Sequence, residues 1–433
     1  MKLVMFTPGL QASAIGRMST LVVHALRAAG HEVTVVRCEL ESLMKKQTHD
    51  FGGTVLSWAD LAAVTAAVAR SDSVVYQVGN NYDFHIGCLE WLPRAPGIVC
   101  LHDFFLGHLF WGWADRNRPA AHAVLRSWYG AAVAEHYFMH PDSDSFIAST
   151  VDAAPMTEWI GGMASGVVTH SNWGAERLWR SCAGPVHVVP LPYNAPAGRG
   201  AEAHSNGPTF YVLTIGHVNP NKRVASVIRA IGNSPVLRDH TVYRLVGRIQ
   251  TETVVALSSL ARRYQVNLLI SDELDDDALV STIDQADVVT CLRWPSLEAA
   301  SASAIEAMLY GKPVIVTDTN FYSELPDDCV LKIDPENEIS MLQQALEQLY
   351  HSPDMRGTLG ARAKEWAGAT FRADHYAESL VGMTANVSRA RPTLTAIERL
   401  TSTLAGWGAR SDWLSGEESR AALDLFTIGG TGN

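Results

Sequence analysis

DVVTCLRWPSLEAASASAIEAMLYGKPVIVTD, residues 287–318, decides how the chain is read. Its first seven residues, 287–293, are an apolar run flanked by turn signals, which predicts a buried strand. A loop carrying Glu298 follows. Ser303-Ala-Ile-Glu306 has the spacing of a capping box, in which the serine hydroxyl takes an orphan backbone N–H and the glutamate reaches back, so a helix is expected to start near Ser303. Ile305, Met308 and Leu309 recur on one helical face, Gly311 is placed to cap the end, and Pro313 prevents continuation. Residues 314–317, VIVT, are the next strand. Open α/β sheets built of such units bind ligands beyond the carboxyl ends of their strands. Glu298 lies in that loop, and Glu306 in the first turn of the helix, where a carboxylate also complements the helix dipole.

Working outward, 433 residues with 47% hydrophobic content exceed what one core organises, since single cores stop growing near about 250 to 300 residues. Thirty-four basic against 45 acidic side chains, a net charge of -11, exclude a general nucleic-acid binder, and no dense basic run reverses this locally. The six cysteines are scattered without a C-x-x-C pair, so neither a zinc knuckle nor a disulfide framework is expected, and a reducing cytoplasm fits. The opening MKLVMFTPGL is too short an apolar run for a signal peptide, and no stretch of about 18 apolar residues occurs. A soluble or peripheral protein is expected.

The pattern of strand, loop and helix is present from the start. Residues 2–6 read as a strand, 7–17 as a loop with Gly9 and Gly16, 18–29 as a helix and 31–36 as the second strand. The loop lacks the G-x-G-x-x-G of dinucleotide sites, which weakens a dehydrogenase reading. Further strands are predicted at 73–78 and 97–101, the latter followed at once by His102-Asp103, and then at 166–171 and 186–190. A histidine directly after a buried strand stands at the ligand-binding edge of the sheet. The aromatic run from Phe104 to Trp113 reads mainly as core, with an acceptor groove or a membrane-facing surface as the alternative.

His136 and His140 have the i, i+4 spacing that holds a metal on a helix, and Asp142-Ser-Asp144 is formally D-x-D, but no third ligand is assigned and the turn composition favours a cap or surface loop. The acidic run 272–277 reads as a loop and helix start, not a calcium site. No catalytic metal and no cofactor is expected.

Residues 194–208, NAPAGRGAEAHSNGP, read as a linker. A second β-α-β pattern then opens with a strand at 210–215, the loop Gly216-His-Val-Asn-Pro-Asn-Lys222 and a helix over 225–231. Strands at 243–247 and 266–270 lead to the stretch quoted above. Helices follow over 336–350 and within 361–383, and the composition changes at Arg391 into a polar, helix-prone tail with Trp407, Trp413 and a terminal GGTGN expected to be disordered.

Glu298 and Glu306, separated by seven residues that are mostly small, resemble the E-x7-E element of retaining glycosyltransferase family 4. The glycine loop after the first strand, the post-strand His-Asp, the linker and the Gly/Lys loop stand in that family's order over about residues 1–380. The resemblance implies the GT-B fold, an α/β architecture of two Rossmann-like domains facing a cleft. Residues 1–193 would bind acceptor, 209–370 would bind nucleotide sugar, and 371–433 would be a helical segment partly crossing back to the first domain.

It also implies a retaining, metal-independent transfer of a hexose from a GDP- or UDP-sugar to a glycan, a lipid-linked or a small-molecule acceptor, of the kind used in polysaccharide biosynthesis. By resemblance, Lys222 stabilises the departing diphosphate with Gly216 beside it, Glu306 holds ribose hydroxyls, Glu298 the sugar's hydroxyls, and His102 the sugar from the opposite domain. Ala300, Ser301 and Ala302 let the sugar approach the backbone, and Gly9, Ser13 and Gly16 lie near donor and acceptor. The family's arginine is missing: His217 stands in its place, and only a protonated His217, or the adjacent Arg223, replaces that charge. Cytoplasmic location, with peripheral contact at the inner face of the membrane allowed by the aromatic run, completes the expectation. The alternatives are an epimerase of the same fold, a non-catalytic sugar-nucleotide-binding or scaffold protein and, least supported, a dehydrogenase.

Overall fold

The computed structural model describes residues 1–194 and 209–408. Most of the expected linker, and Trp413 with the terminal GGTGN, lie outside the described residues. Two parallel sheets form one compact unit, Met1–Thr384.

The first sheet contains β1 (Lys2–Thr7), β2 (Glu32–Arg37), β3 (Val55–Ser57), β4 (Ser73–Val78), β5 (Ile98–Leu101), β6 (Gly166–Thr169) and β7 (Val186–Val188), in the order β3-β2-β1-β4-β5-β6-β7. The second contains β8 (Phe210–Ile215), β9 (Thr241–Val246), β10 (Asn267–Ser271), β11 (Val288–Cys291), β12 (Val314–Thr317) and β13 (Leu331–Ile333), in the order β10-β9-β8-β11-β12-β13. Helices cover both faces, which is why β5, β6, β11 and β12 are buried along their whole length and read as continuous apolar runs. In each sheet the winding direction reverses at one place, between β1 and β4 and between β8 and β11. Loops diverge there and leave a crevice at the carboxyl edge.

The aromatic run after β5 is core. Phe104, Phe105, Leu106, Leu109 and Phe110 are buried, and Phe110 packs edge-on against Trp159 at 5.1 Å and Tyr137 at 5.6 Å. Neither a lipid-facing surface nor an acceptor groove is formed by these five side chains.

Two expectations about helix starts are corrected: the helix expected over 18–29 is Ala14–Ala28, so Gly16 lies in its first turn and not in the loop. The helix after β11 runs Ala302–Leu309 with Ser301, not Ser303, as its cap, accepting from the Ala304 N–H. Glu306 is therefore no longer the capping-box partner; it is buried, and its charge acts on Tyr193. His136 ends the helix Ala131–His136 while His140 lies beyond it, so the two never share a helical face. Asp142 caps the helix Ser143–Thr150, and Asp275 caps Asp276–Gln285, as expected of turn carboxylates.

The helix Ala373–Gly406 continues past Arg391 and contains Pro392. Its start returns to the first sheet, where the Tyr376 ring lies 5.7 Å from His170. From Ala385 the chain belongs to a second compact unit, whose described part is the remainder of this helix and two residues beyond it. No helix among the described residues is long and apolar enough to cross a membrane.

Candidate functional site

The loops after β5 and β11 meet by their backbones. Asp103 and Glu298 form an isolated antiparallel bridge, the Ala299 N–H donates to the His102 carbonyl at 2.9 Å, and Phe104 and Phe105 N–H both donate to the Leu297 carbonyl. These bonds hold the Glu298 loop of the second sheet against the strand end of the first.

Two cavities flank this seam. The first, termed the inner cavity, of about 270 Å³, is lined by Ile15, His102, Tyr193, Lys222, Arg293 and Glu298, and by Gly216 and Ala300 to Ser303. The outer one, of about 440 Å³, is lined by Asn80, His108, Asp144, Arg223 and Trp294 among others. Asp103 and Glu298 line both.

Lys222 lies in the turn Pro220–Lys222 after β8 and is buried, its ammonium donating to the Ile215 carbonyl at 2.5 Å. Gly216 makes room for this: it has φ +89°, and a Cβ there would stand 2.9 Å from Lys222 Nζ. Burial, then repulsion from Arg293, pushes Lys222 down to about 7.

Glu298 is held from two sides, its Oε1 accepting from Tyr322 OH at 2.6 Å and ion-paired with Arg293 Nε at 2.8 Å. Arg293 is itself buried, donates through NH1 to the Leu292 carbonyl and reaches Ser303 Oγ with NH2 at 3.5 Å. Neither Arg293 nor Tyr322 was singled out in the sequence. Arg293 sits two residues past β11, at the carboxyl edge where Glu298 was found, and that position was the available signal.

His102 is buried, with Nε2 2.7 Å from Gln77 Oε1 and its ring 4.9 Å from that of His170. Burial, reinforced by His170 and His85, holds it well below the usual histidine range, so it is neutral near pH 7. Asp103 accepts from the Asn80 N–H at 2.7 Å, and burial pushes its carboxyl up to about 7.

Not every expected residue reaches the inner cavity. His217 is exposed, lines neither cavity, and is lowered by desolvation and by the charges of Lys222 and Arg248, so it supplies no cation at neutral pH. Arg223 faces the outer cavity, with Nε bonded to both oxygens of Glu338. Ser13 caps the helix Ala14–Ala28 by accepting from the Gly16 N–H, and a Cβ at Gly16 would meet the Pro8 carbonyl oxygen at 2.6 Å. The Gly9 N–H donates to Glu39. These three shape the loop after β1, while Ala14, Ile15 and Met18 line the cavity. Glu306 is buried and linked to the cavity through Tyr193.

Among the described residues one group has metal-like spacing: Cys38, His85 and Cys88, whose donor atoms lie within 4.8 Å of one another in the core. Both thiols donate to backbone carbonyls, of Phe84 and Gln77, and burial pushes Cys38 up and His85 down to about 3. None of the three lines either cavity.

Residues 201–366 match the family model described as "Glycosyl transferases group 1". No curated protein matches the chain by sequence. Among solved structures, the sucrose-phosphate synthase of Thermosynechococcus elongatus aligns with a TM-score of 0.60 and 16% identity over 92% of this chain and 100% of that one. HepE of Anabaena, in complex with UDP and glucose, aligns at 0.57 and 13% identity over 91% and 100% of the two chains. A glycosyltransferase of Rickettsia africae gives 0.60 and 13% over 89% and 98%. At these identities the likeness is one of fold: two parallel α/β domains in the GT-B arrangement.

Proposed function

We propose, because residues 201–366 match the glycosyl transferases group 1 model and the chain has the GT-B fold, that it transfers a hexose from a nucleoside-diphosphate sugar to an acceptor hydroxyl with retention of configuration. One observation carries this reading. Asp103 and Glu298 line both cavities, so a sugar held at these two residues is within reach both of the cavity that takes its nucleotide and of the cavity that takes an acceptor.

In this reading the inner cavity takes the donor. Charge builds on the diphosphate as the glycosidic bond breaks, and a preorganised cation in a dry site stabilises that charge most in the transition state. Lys222 is the cation, and its Ile215 contact fixes where it waits. Glu298, aligned by Tyr322, receives the sugar's hydroxyls, and neutral His102 contributes a hydrogen bond, not a charge. Glu306 acts on ribose hydroxyls in partnership with Tyr193. The acceptor hydroxyl attacks from the face the nucleotide leaves, passing its proton to a donor phosphate oxygen. No step requires a metal, and turnover in excess EDTA is expected to equal that in buffer.

The donor is first sought among uridine nucleotides, since HepE, of the same fold, is described with UDP and glucose, and then among guanosine nucleotides. The outer cavity fits a glycan acceptor. It offers the half-exposed face of Trp294 beside Asn80, Asp144 and Ser143, a mix of aromatic platform and hydroxyl-binding groups. Six free cysteines are compatible with the cytoplasm, where nucleotide sugars for polysaccharide assembly are used.

Thermal shift with UDP-, GDP-, ADP- and dTDP-sugars tests the donor. A ligand at about 100 times its dissociation constant stabilises the fold by about 2.7 kcal/mol. A shift with one nucleotide, lost in Lys222→Ala, supports the reading, and wild-type sugar transfer by both Lys222→Ala and Glu298→Ala removes it.

A further inference from the structure

We propose that Arg293 is the second cation of the diphosphate subsite, replacing from another strand the arginine that position 217 lacks. The inference rests on the donor reading above and adds to it which side chains hold the phosphates.

Sheet topology makes the replacement feasible. β8 and β11 are neighbours, with Val289 level with Leu213, so the loop after β8 that carries Lys222 and the residues just past β11 emerge side by side. Arg293 lines the same cavity as Lys222 and is close enough to lower that lysine's proton affinity by repulsion. His217, the sequence-adjacent candidate, is exposed and outside the cavity.

The charge balance points to an anion. Arg293 and the ammonium form of Lys222 put two positive charges in this cavity, and Glu298, paired with Arg293 and acting on Lys222 as well, supplies one negative charge. The hydrogen bond of Lys222 is to the neutral Ile215 carbonyl. Like charges buried together are costly unless an anion neutralises them. A diphosphate supplies that charge, and the N-terminus of the helix Ala302–Leu309 in the cavity lining adds its positive dipole end.

Arg293 also retains the hydrogen-bonding capacity the role needs. Of the five guanidinium N–H groups, one NH1 proton is used on the Leu292 carbonyl and the NH2 contact with Ser303 is long at 3.5 Å, while Nε is ion-paired with Glu298. The remaining NH1 and NH2 protons suit two phosphate oxygens. One side chain thereby ties the phosphates to the carboxylate that faces the sugar.

The test measures binding of UDP and of uridine, with GDP and guanosine in parallel, by calorimetry on the wild type and four variants. Arg293→Gln is expected to weaken the diphosphate roughly 10- to 100-fold while leaving the nucleoside unchanged. His217→Ala is expected to bind as wild type. Arg293→Lys, which keeps the charge, is expected to regain most of the affinity, and this keeps the test valid if the glutamine variant folds poorly.

If Lys222→Ala loses diphosphate affinity while Arg293→Gln keeps it, or if His217→Ala loses it, the assignment of Arg293 is overturned and the donor site stands. Equal losses of diphosphate and nucleoside in Arg293→Gln assign the residue to structure alone and also overturn it. Failure of wild-type protein to bind either diphosphate overturns both readings.

Discussion

Asp103 and Glu298 are backbone partners in an antiparallel bridge between the two sheets, which brings two acidic side chains to one seam. Burial first, and the Glu298 charge in addition, push the Asp103 carboxyl from 3.8 up to about 7 against the pull of the Asn80 N–H. The folded state therefore holds a proton that the unfolded chain has released between pH 3.8 and about 7. Stability from this group falls as pH rises through that window, and the cost is complete above it. Asp103→Asn removes the titration while keeping an acceptor for Asn80. Its melting temperature relative to wild type is expected to rise from about pH 5 to about pH 8, and a constant difference would contradict the shifted carboxyl.

Lys222 gives the opposite proton flow on binding. With its affinity for the proton lowered to about 7, the ammonium is mostly deprotonated at about pH 8, and an arriving diphosphate favours the charged form. Calorimetry of UDP binding in two buffers of different ionisation enthalpy is expected to show net proton uptake at about pH 8 that vanishes near pH 6. Uptake that persists in Lys222→Ala would assign the proton to another group.

Tyr322 positions Glu298 through the 2.6 Å hydrogen bond to Oε1. Tyr322→Phe leaves the ring buried and removes only the hydroxyl. Turnover with a nucleotide sugar is expected to fall roughly 10-fold, the worth of one hydrogen bond to a charged group, with UDP affinity unchanged. Loss of UDP affinity instead would place Tyr322 in support of the phosphate subsite.

Two aromatic side chains separate packing from recognition. Phe110, fully buried among Tyr137 and Trp159, is expected to cost about 3 to 5 kcal/mol on truncation to alanine, read as a fall in the denaturation midpoint. Trp294, 45% exposed at the outer cavity, is expected to change stability by less than about 0.5 kcal/mol. Its truncation should raise the acceptor KM and spare UDP binding. An unchanged acceptor KM would remove the outer cavity from acceptor recognition.

The strands were legible because those covered on both faces must be apolar along their length. β4, β8 and β12 have the bounds their sequences predict, 73–78, 210–215 and 314–317. Of the three-residue edge strands, β7 fell within the predicted 186–190 while β3 and β13 were not legible, being strands only through their partners. The slip from Ser303 to Ser301 at one helix start has a similar origin. Two serines two residues apart offer the same capping chemistry, and the backbone bonds that tie the loop's Leu297 and Ala299 to His102, Phe104 and Phe105 fix the chain that leads into the helix.

Local pattern thus determined where strands end, and with it that Lys222, His102 and Glu298 belong at a sheet's carboxyl edge. Strand order determined which of these edges adjoin, because crossover helices packing on both faces carry residues distant in sequence to neighbouring positions. That is how Arg293 came to line one cavity with Lys222 while His217, far closer in sequence, did not. Protonation followed from the same source: Lys222 and Asp103 titrate near neutrality because of what covers them, and desolvation is a property of the surrounding fold that no stretch of sequence carries by itself.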